Sequence, residues 1–399
     1  MTSTAPVRVP DATTPPDRMP WLALVLLALM GFLLVSGETM PAGLLPVIAD
    51  GLDTSESTVG QFISVWALGT VIVTIPAISL TRRFRRKPLL LTAILGLILF
   101  NTITALSSDV VVSLVSRFAA GAATGVIWGM LAAYGRRISP AHRGGLALSI
   151  VSTGAPLGFA LGTPLGAWMG TAFDWRWSFG GISVLAVLTF ALIAVFVPDA
   201  PGQSATASLP IRRVFVMPGI PIVLLVIAVW MLAHNTIYTY IAPFLRETGT
   251  GLGPDLVLLV YGVASLGGVG VTAAFIDRHP RVLLHTSVAL FVVAAIGLLI
   301  GHASPVAVIT ATALWGLAFG GASAQLQSAL TLSGRENSDV ANSFLPVAFN
   351  IAIFAAGILG AVLLEHFDAL VLAALMAGLG IIALGVTFYG RRTAFLQPE

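Results

Sequence analysis

The chain has 399 residues, of which 57% are hydrophobic and only 9% charged, with mean hydropathy +0.97. A soluble domain carries about 25% charged residues, so this set cannot build a water-facing surface, and the class is a polytopic membrane protein. Cysteine is absent, which excludes disulfides and thiolate metal sites. Residues 1–20 are polar and rich in Pro and Thr. They lack the charged n-region and short apolar h-region of a signal peptide and read as a disordered cytoplasmic tail. Twelve mainly apolar segments follow, each near the roughly 20 residues that a bilayer-crossing helix needs. They lie near 21–46, 59–80, 88–106, 110–133, 145–169, 178–197, 219–243, 255–276, 282–301, 304–330, 340–364 and 369–390. The predicted fold is all-α, with an N-terminal six-helix half (21–197), a linker (198–218) containing PDAPGQSATASLP, a C-terminal half (219–390) and a second cytoplasmic tail (391–399).

The basic residues orient this array. With the N-terminus in the cytoplasm, 17 of the 20 Lys and Arg fall in cytoplasmic tails and loops; Arg176 and Arg246 lie outside, and Arg117 lies within a span. That is the positive-inside rule obeyed at nearly every loop. The pI of 9.7 is therefore a topology signal, and no nucleic-acid partner is expected. Both termini are placed in the cytoplasm and the chain in a bacterial inner membrane.

The halves echo each other. RRFRRKPLL begins at Arg82 after span 2, and DRHPRVLL begins at Asp277 after span 8. Twelve helices in two repeats is a transporter pattern, with the substrate site near the midplane between the repeats. The Arg82–Lys87 cluster determines topology first. Its second reading is a latch, with Arg82, Arg83 and Arg86 pairing acids at helix ends. The second copy, Asp277 and Arg278, looks better equipped for that role.

These residues resemble the major facilitator superfamily in its drug:proton antiporter branch. The run at Arg82–Pro88 is similar to its Asp-Arg-x-Gly-Arg-Arg loop, with Arg82 where Asp is usual and Arg85 where Gly is usual. LVSRFAAGAATG is similar to its membrane-embedded Arg motif, with Arg117 in the Arg position, and GAPLGFALGTPLG to its exporter motif. Glu38–Pro46, Trp175–Phe179, His234–Phe244 and Asp339–Asn350 look like the sugar efflux and arabinose efflux subgroup. The resemblance implies alternating-access export of a small organic solute (sugar, sugar-like compound or drug) in exchange for protons. A facilitator or importer of the same fold is the alternative, and an integral membrane enzyme a remote one.

Glu38 and Arg117 are the only acid and base well inside any span. At 1.5 Å per residue both fall in the outer half of a core about 30 Å thick. An unpaired charge there costs at least about 2.5–3.5 kcal/mol. Either the two form a structural ion pair, or Glu38 takes up and releases protons with Arg117 as its partner, or Glu38 touches substrate. In span 7, His234 is a second candidate for proton coupling, and Asn235 and Tyr238 for substrate contact. Gln325 and Gln327 of span 10 and Asn342 and Asn350 of span 11 either line the cavity or tie helices together. Trp128, which shares a stripe with Arg117, and Trp66 and Trp315 offer ring faces to a solute or simply pack.

Gly154, Gly158, Gly162 and Gly166 recur every fourth residue in span 5 and, with the bends at Pro156 and Pro164, predict a tight contact that seals the cavity. No phosphate-binding loop, catalytic arrangement or metal-ligand spacing is present, so no enzyme activity, cofactor or metal is expected. The expected partners are a small-molecule substrate, protons and the lipid bilayer around a monomeric chain.

Overall fold

The computed structural model describes residues 18–81, 83–202 and 211–395. Most of the expected N-terminal tail, Arg82, the middle of the linker and the last four residues lie outside that range. Twelve helices among the described residues are long and apolar enough to cross a membrane. They are Trp21–Gly43, Glu56–Thr74, Arg86–Leu106, Val110–Arg137, Gly144–Ala172, Trp175–Phe196, Ile220–Thr239, Pro254–Phe275, Pro280–Ile300, Pro305–Asn337, Val340–His366 and Val371–Arg392, numbered below as spans 1 to 12. Lipid offers no hydrogen bonds to the backbone, so an apolar crossing segment has to satisfy its own amides, and the helix does so. The starts are written in local chemistry. Asp109 and Asp174 accept at 2.8 Å from the amides of Val112 and Arg176 and cap spans 4 and 6. Spans 8, 9 and 10 begin on Pro254, Pro280 and Pro305, where a missing N–H costs nothing.

Two spans are broken at corresponding places. The α-helix of span 1 ends at Thr39, passes through a 3-10 turn at Met40–Gly43 and resumes as a short helix, Leu45–Gly51. Span 7 ends at Thr239, turns at Tyr240 and resumes as Ile241–Thr248. Pro41 and Pro243 sit just beyond the two breaks and cannot donate to the helical ladder.

The helix ends and turns that carry Lys87, Arg136, Arg281 and Arg335 define one face of the molecule, the basic face, and the first and last described residues, Arg18 and Phe395, lie toward it. Toward the basic face the first half has a core of its own, which includes Leu24, Leu27, Leu90, Met130 and Tyr134. Toward the opposite, far face the halves share a core. Met40, Leu44, Val59, Phe62 and Trp175 of the first half join one apolar cluster with Trp230, Tyr238, Phe244, Leu258 and Phe291 of the second. The polar contacts between described side chains of the two halves agree with this. Arg246 makes a two-pronged pair with Glu56 at 2.6 and 2.8 Å. Gln61 donates to the Gly357 carbonyl at 3.0 Å and to the Tyr240 hydroxyl at 3.3 Å. All of these lie toward the far face, so the two halves are closed on each other there.

Inside lipid, helices have no water-driven gain from meeting, so close approach has to supply the attraction. The span 5 glycines do this against span 1 of the same half. A side chain at Gly154 would meet the Ala28 carbonyl, at Gly158 Val35, at Gly162 Ser36 and at Gly166 Met40. The contact across the halves is narrower, with Gly262 of span 8 resting on the backbone of Phe159 and Ala160. Span 5 does not run as one α-helix either. Gly158–Gly162 forms a π turn, and Pro164 opens the helical segment after it.

Candidate functional site

Arg117 is wholly buried and aims at main-chain oxygens. Its Nη1 donates to the Gly37 carbonyl at 2.7 Å, Nη2 to the Glu38 carbonyl at 3.1 Å and Nε to the Phe62 carbonyl at 3.3 Å. The guanidinium also lies 4.2 Å from the centre of the Trp66 ring. The reason is in span 1. In an unbroken helix the amide of residue 41 would serve the Gly37 carbonyl, and Pro41 has no such amide. A cation at the C-terminal end of a helix also opposes the negative pole of its dipole. Arg117 thus closes the broken end of span 1 and ties it to spans 2 and 4.

The Glu38 carboxylate makes no ion pair with Arg117. It is 8% exposed, and its buried Oε1 has no hydrogen-bond partner among the described residues. The residues meet at the depth the sequence implies, but through the backbone of Glu38. Of the alternatives for this pair, the structural ion pair is not formed: three of the five guanidinium N–H donors go to main-chain carbonyls, two of them at the broken end of span 1. Thr39, the next residue, has its hydroxyl 2.6 Å from that of Thr163 on span 5. The Tyr238 hydroxyl of span 7 lies beside this threonine pair, and the Tyr238 ring stands edge-on to Phe159 at 5.9 Å. Glu38 therefore sits one residue from a junction of spans 1, 5 and 7.

His234 is packed in aromatic surroundings. Trp315 Nε1 donates to its Nδ1 at 3.0 Å, so its own ring proton belongs on Nε2. Phe319 stacks on it at 3.6 Å, and Tyr261 faces it at 5.7 Å. Trp315 is fully buried in this cluster and holds the histidine in place. Trp66 is likewise fully buried, as the shelf under Arg117.

The remaining candidates are dispersed. Asn235 is buried and donates back to the Met231 carbonyl at 2.8 Å. Gln325 donates to Thr272 and Ser287, both at 3.0 Å, and so ties spans 8, 9 and 10 together. Gln327 is exposed. Asn342 donates to Thr331 at 2.8 Å and Asn350 to the Pro346 carbonyl at 2.9 Å, each with a buried amide oxygen left over. Trp128 packs half-buried on the core of the first half, away from the Arg117 guanidinium.

At the basic face the two loop copies differ. Asp277 and Arg278 are exposed and make no ion pair among the described residues, and Arg83 is exposed as well. The first loop is the one that is clamped. Arg85, at the position where the family carries Gly, pairs with Asp199 at 2.6 Å, and the amides of Lys87 and Arg86 reach Asp199 and the Ala200 carbonyl at 3.0 and 2.9 Å. Tyr134 and Arg137 hold the Pro198 and Pro201 carbonyls, both at 2.8 Å. In the second half Arg281 donates to the Phe395 carbonyl at 2.6 Å.

Sequence reasoning passed over Thr39, Thr163, Tyr261, Phe319, Gln61 and Asp199. Of these, Thr39 and Asp199 carried a signal: one adjoins the lone membrane acid, the other is an acid at the start of the linker.

The sequence profile of the Major Facilitator Superfamily matches residues 27–338. Among solved structures, the chain is similar to one titled "Crystal Structure of A Bacterial Homolog to Human Lysosomal Transporter, Spinster, in Inward-facing And Unoccupied Conformation". The TM-score is 0.69 with 14% identity, over 96% of this chain and 100% of that one. That likeness is one of fold.

Proposed function

The chain belongs to the major facilitator superfamily of secondary transporters, which work by alternating access, and from that premise we propose that it exports a small organic solute in exchange for protons. The solute class is sugar, sugar-like compound or amphipathic drug. The basic face lies in the cytoplasm of a bacterial inner membrane, and the far face lies outside. Glu38 carries the proton.

One observation supports this reading above the others. Glu38 is buried at the broken end of span 1, its Oε1 has no partner, and the neighbouring guanidinium is committed to backbone carbonyls. A carboxylate held this way has every reason to bind a proton when its surroundings are dry and to release it when water reaches it. A purely structural acid would be expected to hold a partner. Tyr238, beside the Thr39–Thr163 pair, carries the substrate contact closest to this group, and Asn235 and Asn350 are assigned to the path with it. His234 is given a positioning role, because Trp315 already occupies its Nδ1.

The test uses proteoliposomes with a trapped pH dye, a panel of sugars and amphipathic drugs, and Glu38→Gln beside the wild type. A solute-dependent pH change that the variant loses is the expected result. A variant that still exchanges protons makes Glu38 structural. Labelled solute crossing the wild type with no pH change makes the protein a facilitator.

A further inference from the structure

Where the halves meet at the far face, one side chain occupies a slot made by both of them. Tyr240 stands at the break of span 7, fully buried. A side chain at Gly60 of span 2 or at Gly360 of span 11 would run into its ring, so the two glycines form the walls of the slot. Its hydroxyl donates to the Gly357 carbonyl at 2.7 Å, lies 3.4 Å from the Ser57 carbonyl and accepts from Gln61 at 3.3 Å. Gln61 in turn reaches Gly357 at 3.0 Å, so spans 2, 7 and 11 meet around one phenol. On the short helix that follows the break, Arg246 grips Glu56 of span 2 with both prongs.

We propose that Tyr240 is the wedge of the far-face gate and that the Glu56–Arg246 fork is its outer lock, so both must disengage for the far face to open. The geometry gives the reason. A ring seated between two glycines fills the space completely while the halves are together and leaves a trough between spans 2 and 11 when span 7 withdraws. The hydroxyl supplies the registry, because it bonds to backbone that only the closed arrangement brings within reach. Buried, hydrogen-bonded aromatic anchors in fitted pockets dominate separable interfaces, whereas exposed pairs at the rim contribute less. The ranking of the two parts follows: losing the wedge opens the gate more than losing the lock.

The inference needs alternating access only; neither proton exchange nor the identity of the solute enters it. The chain has no cysteine, so a single introduced thiol reports by itself. Ser64 lies in the joint, fully buried and packed on Gly357. Ser64→Cys is labelled with a membrane-impermeant maleimide applied separately to the far face and the basic face. In the otherwise unchanged chain, far-face labelling should be slow. Adding Tyr240→Ala should speed it at least tenfold, Gly60→Ala similarly by evicting the ring, and Glu56→Gln two- to fivefold. Tyr240→Phe, which keeps the ring but not the hydroxyl, should fall between the wild type and Tyr240→Ala. Rapid far-face labelling before any gate change would overturn the proposal. So would unchanged rates in both Gly60→Ala and Glu56→Gln, and these two variants carry the test if Tyr240→Ala does not fold. Because labelling is read without solute or pH gradient, its failure is separate from failure of the proton-exchange reading.

Discussion

The Arg117 guanidinium donates at 2.7 Å to the Gly37 carbonyl, the oxygen that Pro41, four residues on, cannot serve. An arginine on one helix thus replaces a backbone amide missing from another. Arg117→Ala should lower stability by about 4.5 kcal/mol or more, since it removes three buried charged hydrogen bonds worth roughly 1.5–3 kcal/mol each and leaves their carbonyls orphaned. Lysine should not rescue it, because one ammonium cannot serve carbonyls on two helices with a planar fork. Pro41→Ala, nearly neutral alone, should recover about 1 kcal/mol in the Arg117→Ala background by restoring the amide. Thermal melts of the four proteins in detergent give the cycle; strictly additive effects would sink the capping account.

Trp315→Phe keeps the ring packing but leaves His234 Nδ1 without its donor. The expected cost is about 1–3 kcal/mol for a buried unsatisfied acceptor. The pH profile of solute-driven proton movement should keep its midpoint. A displaced midpoint would return His234 to the proton path.

Gln325→Leu removes two hydrogen bonds, to Thr272 and Ser287, and leaves both hydroxyls buried. Stability should fall by about 1–2 kcal/mol, while the apparent KM for the solute stays within a factor of two. A tenfold rise in KM with an unchanged melt would place Gln325 at the solute.

At the basic face, Arg85→Ala should be nearly silent, because its side chain is 76% exposed and such pairs contribute about 0–1 kcal/mol. Asp199→Ala should cost more, since it also strips the acceptor from the Lys87 and Ala200 amides. Equal melting temperatures in the two variants would mean that the amide bonds do not hold the linker.

The array of spans was legible because hydropathy is a property of composition along the chain. The shared depth of Glu38 and Arg117 followed from counting residues along two helices. Their relationship did not, because Arg117 bonds to main-chain oxygens and a sequence shows no main chain. The available clue was Pro41, which lacks the amide that would serve the carbonyl four residues earlier. Gln325 was undecidable for a similar reason. An amide that ties helices and one that lines a cavity have the same letter, and the difference lies in Thr272 and Ser287 of two other spans. The Arg85–Asp199 clamp was hidden by the expectation attached to the motif, since Arg85 is where the loop departs from its family pattern.

The glycines of span 5 meet span 1 like teeth on a rack. Positions 154, 162, 166 and 170 fall opposite 28, 36, 40 and 44, and Gly158 rests between Phe32 and Val35. Teeth cut every four residues do not mesh indefinitely on a helix that turns every 3.6. Each step rotates the row by about 40°, so over four steps an unmodified pair would roll out of engagement. The π turn at Gly158–Gly162, with more residues per turn than an α-helix, takes up this drift on span 5. The seam therefore depends on residue count as much as on residue size. Deleting one of Phe159, Ala160 and Leu161 would turn the π turn into an ordinary α turn and keep the register, whereas deleting Leu165 from the regular helix would leave every glycine in the chain and still swing Gly166 and Gly170 by about 100° away from Met40 and Leu44.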